Sequence, residues 1–311
     1  MRRLISLLLV LTACGIAPAR VSPATQTSVF VTASFRDRNN LFVERLDREQ
    51  VQVFENGEQR EVEFMAMDEV PTIFGIIFDL NLFSAPFEDE RGRAGRISSA
   101  ALARNVAFEL IDKVFRGQSL WAGVYRQRLQ VVSDVTTDGF VVKGAVSQVK
   151  GSRSADDPFL YSALFAAIQK MSERHEKRRV IVLLLDSLDV RTVEKLNPLK
   201  NLLSNSNVEL FVVFLGSKYS SGRGGLPPAN ASRSLKELAQ VTCGDLFVAA
   251  DFGDHPEDLN RRLQNQLRTL YTLGFKSQSP DNRAAKMTIR CTLPGSKVLH
   301  HPFTPRLQPD F

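Results

Sequence analysis

Two acidic residues each close a run of apolar residues: Asp79 follows residues 73–78, and Asp186 follows residues 180–185. Runs without polar alternation are typical of parallel strands that are buried on both faces. In an open sheet with strand order 3-2-1-4-5-6 these two strands are neighbours, so we expect both carboxylates in one crevice at their carboxyl ends. Two such acids repel unless a cation or a shared proton lies between them. Oxygen ligands of this kind suit Mg²⁺, Ca²⁺ or Mn²⁺.

The motifs of several other chemistries are missing from the sequence. No G-x-G-x-x-G follows the first apolar strand, and the chain contains no G-x-x-x-x-G-K-[ST], H-E-x-x-H or G-x-S-x-G. Three cysteines and four histidines leave no room for a zinc cluster of Cys/His spacing. The net charge of +6 is mild, and the basic side chains are dispersed without interleaved aromatics. We therefore expect neither a nucleic acid nor a small-molecule substrate.

The N-terminal residues 1–13 are typical of an export signal, with two arginines before an apolar run too short to span a bilayer. The run ends in Leu-Thr-Ala-Cys, which resembles the lipobox of bacterial lipoproteins. This resemblance implies cleavage before Cys14, acylation of its thiol, and anchoring to a membrane of the cell envelope, facing the periplasm or the outer surface. Residues 14–28 would then be a tether. A competing Ala-Pro-Ala pattern would instead release a soluble protein after Ala19.

Two cysteines remain in the body of the chain, Cys243 and Cys291. In an oxidising envelope they could form a disulfide. The alternative is a pair of unpaired buried thiols, and the sequence leaves both possibilities open.

Three zones follow the tether. Residues 29–71 are rich in strand signals, whereas residues 72–270 alternate apolar runs with helical periodicity and predict a doubly wound, mostly parallel α/β domain. Residues 120–125 and 129–132 lie too close in sequence for a parallel crossover, so they predict an antiparallel hairpin. Residues 271–311 return to strand signals and are expected to pack with the N-terminal zone as a small antiparallel β-subdomain.

A hairpin is also predicted within the N-terminal zone. An Asn-Gly pair at residues 56–57 separates a strand at residues 51–54 from a second apolar segment at residues 62–64. This pair favours a tight two-residue turn. The prediction is that these two segments pair with each other.

The order of the apolar strands and their flanking segments resembles the von Willebrand factor type A domain, in particular the secreted A-domain-related proteins of Acidobacteria. The segments that carry the resemblance are residues 46–57, 76–79, 178–186, 235–247 and 271–275. The resemblance implies a metal-ion-dependent adhesion site opened by Asp79, with Asp186 as its distal acid.

The first loop of that site departs from the family pattern Asp-x-Ser-x-Ser. Asn81 offers a carbonyl oxygen where the family has a hydroxyl, Phe83 has no ligand atom, and Ser84 lies one position too far along the chain. The position of the family's middle-loop Thr falls near Asp157, which precedes a proline and has the pattern of a helix N-cap followed by Pro at N1. The resemblance therefore implies a degenerate site, which either binds Mg²⁺, Ca²⁺ or Mn²⁺ weakly or holds no metal. In the second case Asp79, Asn81 and Asp186 are hydrogen-bonding residues at the top of the sheet.

These observations predict a non-catalytic interaction module of the cell envelope, whose partner is a protein that the sequence does not identify. Leu82, Phe83 and Ser84 would form an apolar contact surface beside the degenerate site. Two alternatives stay open. The paired acids could serve a hydrolase, or the chain could be a purely structural envelope scaffold whose β-subdomain makes the contacts.

Overall fold

The structure is a computed structural model. It describes residues 27–39, 41–67, 70–83, 98–151, 159–185, 196–215, 229–252, 255–279 and 284–304.

Thirteen strands are formed by the described residues: β1 (Thr27–Arg36), β2 (Val51–Glu55), β3 (Glu58–Arg60), β4 (Val62–Met67), β5 (Thr72–Asp79), β6 (Ser119–Tyr125), β7 (Leu129–Thr136), β8 (Arg178–Leu185), β9 (Glu209–Phe214), β10 (Leu246–Val248), β11 (Tyr271–Ser277), β12 (Met287–Cys291) and β13 (Lys297–His300). The same residues form six α-helices: α1 (Ser99–Lys113), α2 (Gly139–Ser147), α3 (Leu160–Ser172), α4 (Leu196–Asn205), α5 (Ala229–Gln240) and α6 (Pro256–Arg268). None of the helices in this part of the chain is long and apolar enough to cross a membrane.

A six-stranded sheet in the order β10-β9-β8-β5-β6-β7 forms the centre of the molecule. Its strands are parallel except β7, which pairs antiparallel with β6 as the short connection predicts. Every residue of β5 and β9 is buried, which explains why these strands lack polar alternation. The predicted fold class and the predicted strand order are confirmed.

Helices cover both faces of this sheet. Helices α1, α2 and α6 pack on one face, around Phe74, Phe78 and Phe211. Helices α3, α4 and α5 pack on the other, around Trp121 and Phe214. The two apolar layers hold the strands rigidly, so the residues at the strand ends are well positioned.

Two smaller antiparallel sheets combine strands from both ends of the described chain, in the orders β13-β1-β11-β4 and β12-β2-β3. Alternate residues of β1, including Val31 and Phe35, pack with Val53 of β2, Leu273 of β11 and Ile289 of β12 in a separate apolar core. This arrangement is the small β-subdomain that the fold class includes.

The Asn-Gly turn is confirmed, but the predicted partner of its first strand is wrong. Asn56 and Gly57 both adopt positive φ, at 51° and 88°, as a tight two-residue turn requires. This turn places Glu58 directly opposite Glu55, so the returning strand is β3. The segment from Val62 onward pairs instead with β11 in the other small sheet.

The remaining face of β1 docks on the amino ends of the parallel strands, which we call the lower face. The Lys177 ammonium lies 4.6 Å from the centre of the Phe30 ring. The Thr32 hydroxyl donates to Oε1 of Glu209 at 2.7 Å. The Arg36 guanidinium lies 3.7 Å from the Asp245 carboxylate. Side chains of β1 therefore contact the starts of β8, β9 and β10 in turn.

A buried ion pair, Arg178 with Glu209, completes the lower face. The guanidinium donates to the carboxylate through Nε at 2.9 Å and Nη2 at 2.8 Å, and Nη2 also donates to the Leu267 carbonyl oxygen at 2.9 Å. Arg178 is 4% exposed and Glu209 is 1% exposed. Because each charged group has several partners, the pair can be tolerated in the interior.

The two cysteines of the body are free thiols in the structure, so the disulfide alternative is wrong and the alternative of unpaired thiols holds. The Cys243 thiol is fully buried at the lower face and donates to the Thr32 carbonyl oxygen at 3.1 Å. Burial raises the pKa of this thiol. Cys291 lies in β12, where it packs against the core of the β-subdomain. Their different surroundings explain why they do not pair.

Candidate binding site at the upper edge of the sheet

Asp79 ends β5 at the carboxyl edge of the parallel strands, as predicted. Its side chain is fully buried, and Oδ1 accepts a hydrogen bond from the backbone N–H of Asn81 at 2.9 Å. This bond holds the start of the 3₁₀ turn Leu80–Phe83, which directs the chain away from the sheet. The first loop of the predicted site is therefore built on the Asp79 carboxylate.

An arginine that the sequence analysis did not select completes this loop. Arg126 directly follows β6, whose last residue, Tyr125, pairs with Asp79 in parallel register. The Arg126 guanidinium donates through Nη2 to Oδ1 of Asn81 at 2.9 Å. Its backbone carbonyl oxygen accepts from the N–H of Phe159, just before α3, at 2.5 Å. Hydrogen bonds thus link the Arg126 guanidinium to Asn81 and Asn81 to the Asp79 carboxylate, across the ends of β5 and β6.

The two apolar residues of this loop that were predicted to form a contact surface have different environments. Leu82 is 2% exposed and packs in the core with α1, so its predicted place on a contact surface is wrong. It is buried because the 3₁₀ turn directs position 82 inward. Phe83 is half-buried, with its ring 5.8 Å from that of Phe78. The Arg104 guanidinium lies over the Phe83 ring at 4.7 Å and donates to the Val149 carbonyl oxygen at 2.9 Å.

Residues 79–83, the turn at residues 126–128 and the side chain of Arg104 lie together, and we call this set the upper edge. Ser84, Asp157 and Asp186, as well as Cys14, lie outside the described residues. Their predicted roles as contact residue, ligands and lipidation site stay predictions.

The described side chains of the upper edge do not by themselves form a site for a divalent cation. The described residues contain no group of three or more His, Cys, Asp or Glu that could hold a metal ion. The oxygen of Asn81, which the resemblance implies as a ligand, accepts instead from Arg126. An Mg²⁺ ion at its usual ~2.1 Å from that oxygen would lie within ~5 Å of the guanidinium nitrogen. Repulsion between these charges is of the order of several kcal/mol.

Sequence reasoning missed Arg126 and Arg104 for different reasons. Arg126 had a usable signal, because a cation that directly follows an apolar strand belongs to the same edge as Asp79 once the strand order is known. Arg104 lies inside α1, where an arginine is ordinary on a helix surface. Its contact with Phe83 depends on how α1 packs against the loop, and no local pattern indicates that contact.

Comparison with known proteins gives matches among solved structures. No family model matches the chain, and no curated protein matches it. Proximal thread matrix protein 1 from the mussel byssus is 15% identical, with a TM-score of 0.50 over 69% of this chain and 51% of that chain. Another structure of that protein has zinc in its metal-ion-dependent adhesion site (MIDAS) motif. It is 15% identical, with a TM-score of 0.47 over 67% of this chain and 48% of that chain.

An aerotolerance-related membrane protein from Bacteroides fragilis is 13% identical, with a TM-score of 0.48 over 63% of this chain and 98% of that chain. The mostly parallel sheet, covered by helices on both faces, matches the fold of the mussel byssus protein at the TM-score of 0.50. This chain has a von Willebrand A-like fold.

Proposed function

We propose that this protein is a non-catalytic protein-interaction module of the bacterial cell envelope, related to the A-domain-related proteins of Acidobacteria. In this proposal Cys14 carries the lipid that holds it at a membrane, and the upper edge contacts the partner. The resemblance of the sequence supports both parts.

One observation carries the proposal: half-buried Phe83, Asn81 and Arg126 lie together on the ends of rigid strands. Aromatic residues and arginine are enriched where proteins bind each other. Because the strands β5 and β6 fix this group, little conformational entropy would be lost when a partner binds.

The hydrolase alternative needs a second carboxylate and a nucleophile or base at the same crevice. The second acid of this alternative, Asp186, lies outside the described residues, and Oδ1 of Asp79 accepts from the Asn81 backbone N–H. We favour the interaction module because the resemblance of the sequence and the aromatic and arginine side chains of the upper edge both support it.

Crosslinking in cells tests the proposal. A photoreactive phenylalanine analogue replaces Phe83, and a matched variant carries the same analogue at Phe303, an exposed aromatic of the β-subdomain. We expect one discrete crosslinked protein from position 83, recovered with the membrane fraction, and release of the complex from that fraction by Cys14→Ser. Crosslinks from position 303 alone would contradict the proposal and favour the scaffold alternative.

A further inference from the structure

We propose that the outward side of helix α2 is a contact between two copies of this chain, which pack antiparallel through Phe140, Val141 and Gly144. These residues are not part of the upper edge, so the inference goes beyond the proposed function and does not depend on it. The partner is a second copy of this chain, related to the first by a two-fold axis.

The two sides of α2 differ sharply in their environment. Val142 and Val146 point inward and are fully buried in the core against the sheet. Phe140 and Val141, in contrast, are 81% and 55% exposed. The Phe140 ring has the Lys143 ammonium at 4.8 Å from its centre, which leaves most of the ring open. Adjacent exposed side chains of this kind gain free energy when another surface removes them from water.

Gly144 leaves an open space one turn further along this side. It is exposed, and a Cβ atom added there would meet no packing neighbour within 4 Å. Packing within the described chain therefore does not require glycine, although glycine destabilises a helix relative to alanine. A glycine in such a place allows the backbone of another helix to approach closely.

The side chain at position 140 and the space at position 144 are complementary to each other. Residues four apart lie on the same side of a helix. A two-fold axis that crosses α2 between them places Phe140 of one copy against Gly144 of the other, and the same contact forms a second time with the roles exchanged. Such a surface fits its own copy under two-fold symmetry, which is the commonest symmetry of soluble oligomers.

The charges at the two ends of α2 favour the antiparallel orientation. Asp138 is the N-cap, with Oδ1 accepting from the Phe140 N–H at 2.8 Å, and it is exposed. Lys150 is exposed just beyond the C-terminal end of the helix. Antiparallel copies bring Asp138 of each chain towards Lys150 of the other, whereas parallel copies would bring like charges together.

The polar side chains beside this surface fit a protein better than a lipid bilayer. Lys143 pairs with Asp112 of α1 at 2.7 Å, and the Asp112 side chain is 57% exposed. Together with Asp138 it places two acids beside the apolar residues, where anionic headgroups would repel them. Helices that lie on membranes have lysine and arginine on the polar side instead. An apolar centre with a polar rim is typical of a contact between proteins.

Sedimentation equilibrium of the purified full chain measures the dissociation constant of the dimer. Cys14→Ser is present in every variant, so that no lipid contributes to association. Phe140→Glu should raise the dissociation constant at least about tenfold, because it removes the central aromatic residue and places a carboxylate in the contact. Leu41→Glu is the matched control at a leucine that is 63% exposed between β1 and β2. It should change the dissociation constant less than about twofold.

Two further variants test the antiparallel geometry. Gly144→Leu should not lower the melting temperature of the monomer, since the site is open and leucine is a better helix former. It should raise the dissociation constant at least about tenfold, because the leucine occupies the space of the other copy's phenylalanine. Lys150→Glu should raise it about threefold by facing Asp138. Adding Asp138→Asn, which keeps an N-cap, should restore part of the affinity.

A photoreactive phenylalanine analogue at position 140 tests the contact in cells that express two differently tagged copies of the chain. We expect a crosslinked product that contains both tags, and no such product from the analogue at Phe303. Crosslinks from position 140 within one chain, for example to residues 152–158 outside the described part, or to a different protein would overturn the inference.

Three results with the purified chain would also overturn it. These are a chain that stays monomeric up to about 1 mM, equal weakening by Phe140→Glu and Leu41→Glu, or binding to phosphatidylglycerol vesicles that Phe140→Glu abolishes. The crosslink from position 83 is independent of all these outcomes, so the proposed function is tested separately.

Discussion

The molecule places an arginine near a carboxylate at both ends of its parallel sheet, with opposite degrees of exposure. At the lower face, Arg178 and Glu209 are 4% and 1% exposed, and the Thr32 hydroxyl adds a further hydrogen bond to the carboxylate. At the upper edge, Arg126 is half-buried and donates to Asn81, whose backbone N–H donates to the Asp79 carboxylate. The lower pair is sealed by the β-subdomain, whereas the upper arginine is partly exposed to solvent.

This difference separates a role in architecture from a role in binding. A buried pair that has all its partners within the fold contributes to how the two parts of the chain are joined. A half-buried guanidinium contributes less to folding, because water can replace part of what it loses. We therefore expect substitutions at the lower face to change stability and substitutions at the upper edge to change binding.

The largest effect is expected from Arg178→Met. This change leaves the Glu209 carboxylate buried without its cation, which should lower the free energy of unfolding by about 3–5 kcal/mol. Urea unfolding followed by circular dichroism measures the change. The double variant Arg178→Met with Glu209→Leu removes both charges and should restore most of the lost stability. A double variant as unstable as the single one would show that the ion pair is not what joins the two parts.

A smaller effect is expected from pH at the same face. His301 directly follows β13, is 1% exposed, and its ring nitrogens have no hydrogen-bond partner among the described residues. Burial, together with the neighbouring His300, lowers the pKa of His301 from 6.5 to about 4. The neutral ring is therefore favoured in the folded state, so stability present above pH 6.5 is lost as the pH falls towards 4.

Lowering the pH from 7 to 5 protonates His301 in the unfolded state and should lower the free energy of unfolding by about 2 kcal/mol. Urea unfolding at both pH values measures it, and His301→Leu serves as the control because it cannot be protonated. We expect the loss of stability on acidification to be smaller in the variant by about that amount. An identical loss in both proteins would rule out His301 as the source.

The smallest effect on stability is expected from Arg126→Gln, with a change of less than about 1 kcal/mol in the free energy of unfolding. The side chain is half-buried, so water can solvate the groups that lose their partner. The same urea measurement used for Arg178→Met makes the two ends of the sheet directly comparable. If Arg126→Gln destabilises the protein as much as Arg178→Met does, the distinction between the two ends is wrong.

Much of the fold could be predicted because buried parallel strands have a simple signature. Strand β5 lacks polar side chains over residues 73–78 and strand β8 lacks them over residues 180–185, and Asp79 marks where β5 ends. The connection between β6 and β7 is too short for a parallel crossover, so their antiparallel pairing could be predicted. Helix α2 escaped prediction, because its glycines and valines are poor helix formers and its Phe140 and Val141 are exposed.

The charged contacts could not be predicted because they depend on register between distant segments. Arg126 and Asn81 are 45 positions apart, and Thr32 and Glu209 are 177 positions apart. A single acid within the apolar strand β9 was a signal that a buried partner exists, since carboxylates are rarely buried alone. The identity of that partner, Arg178, follows only from the side-by-side alignment of β8 and β9.

Strand β1 has a mechanical consequence. It pairs antiparallel with β11 over Thr27–Ala33 and with β13 over Ala33–Arg36, and its side chains contact both the β-subdomain core and the lower face. Hydrogen bonds between antiparallel strands run perpendicular to the strand axis. A pulling force applied at Thr27 along β1 therefore shears both ladders together instead of opening them one bond at a time. We expect tension entering the protein through this strand to be resisted by the whole joint between its two parts.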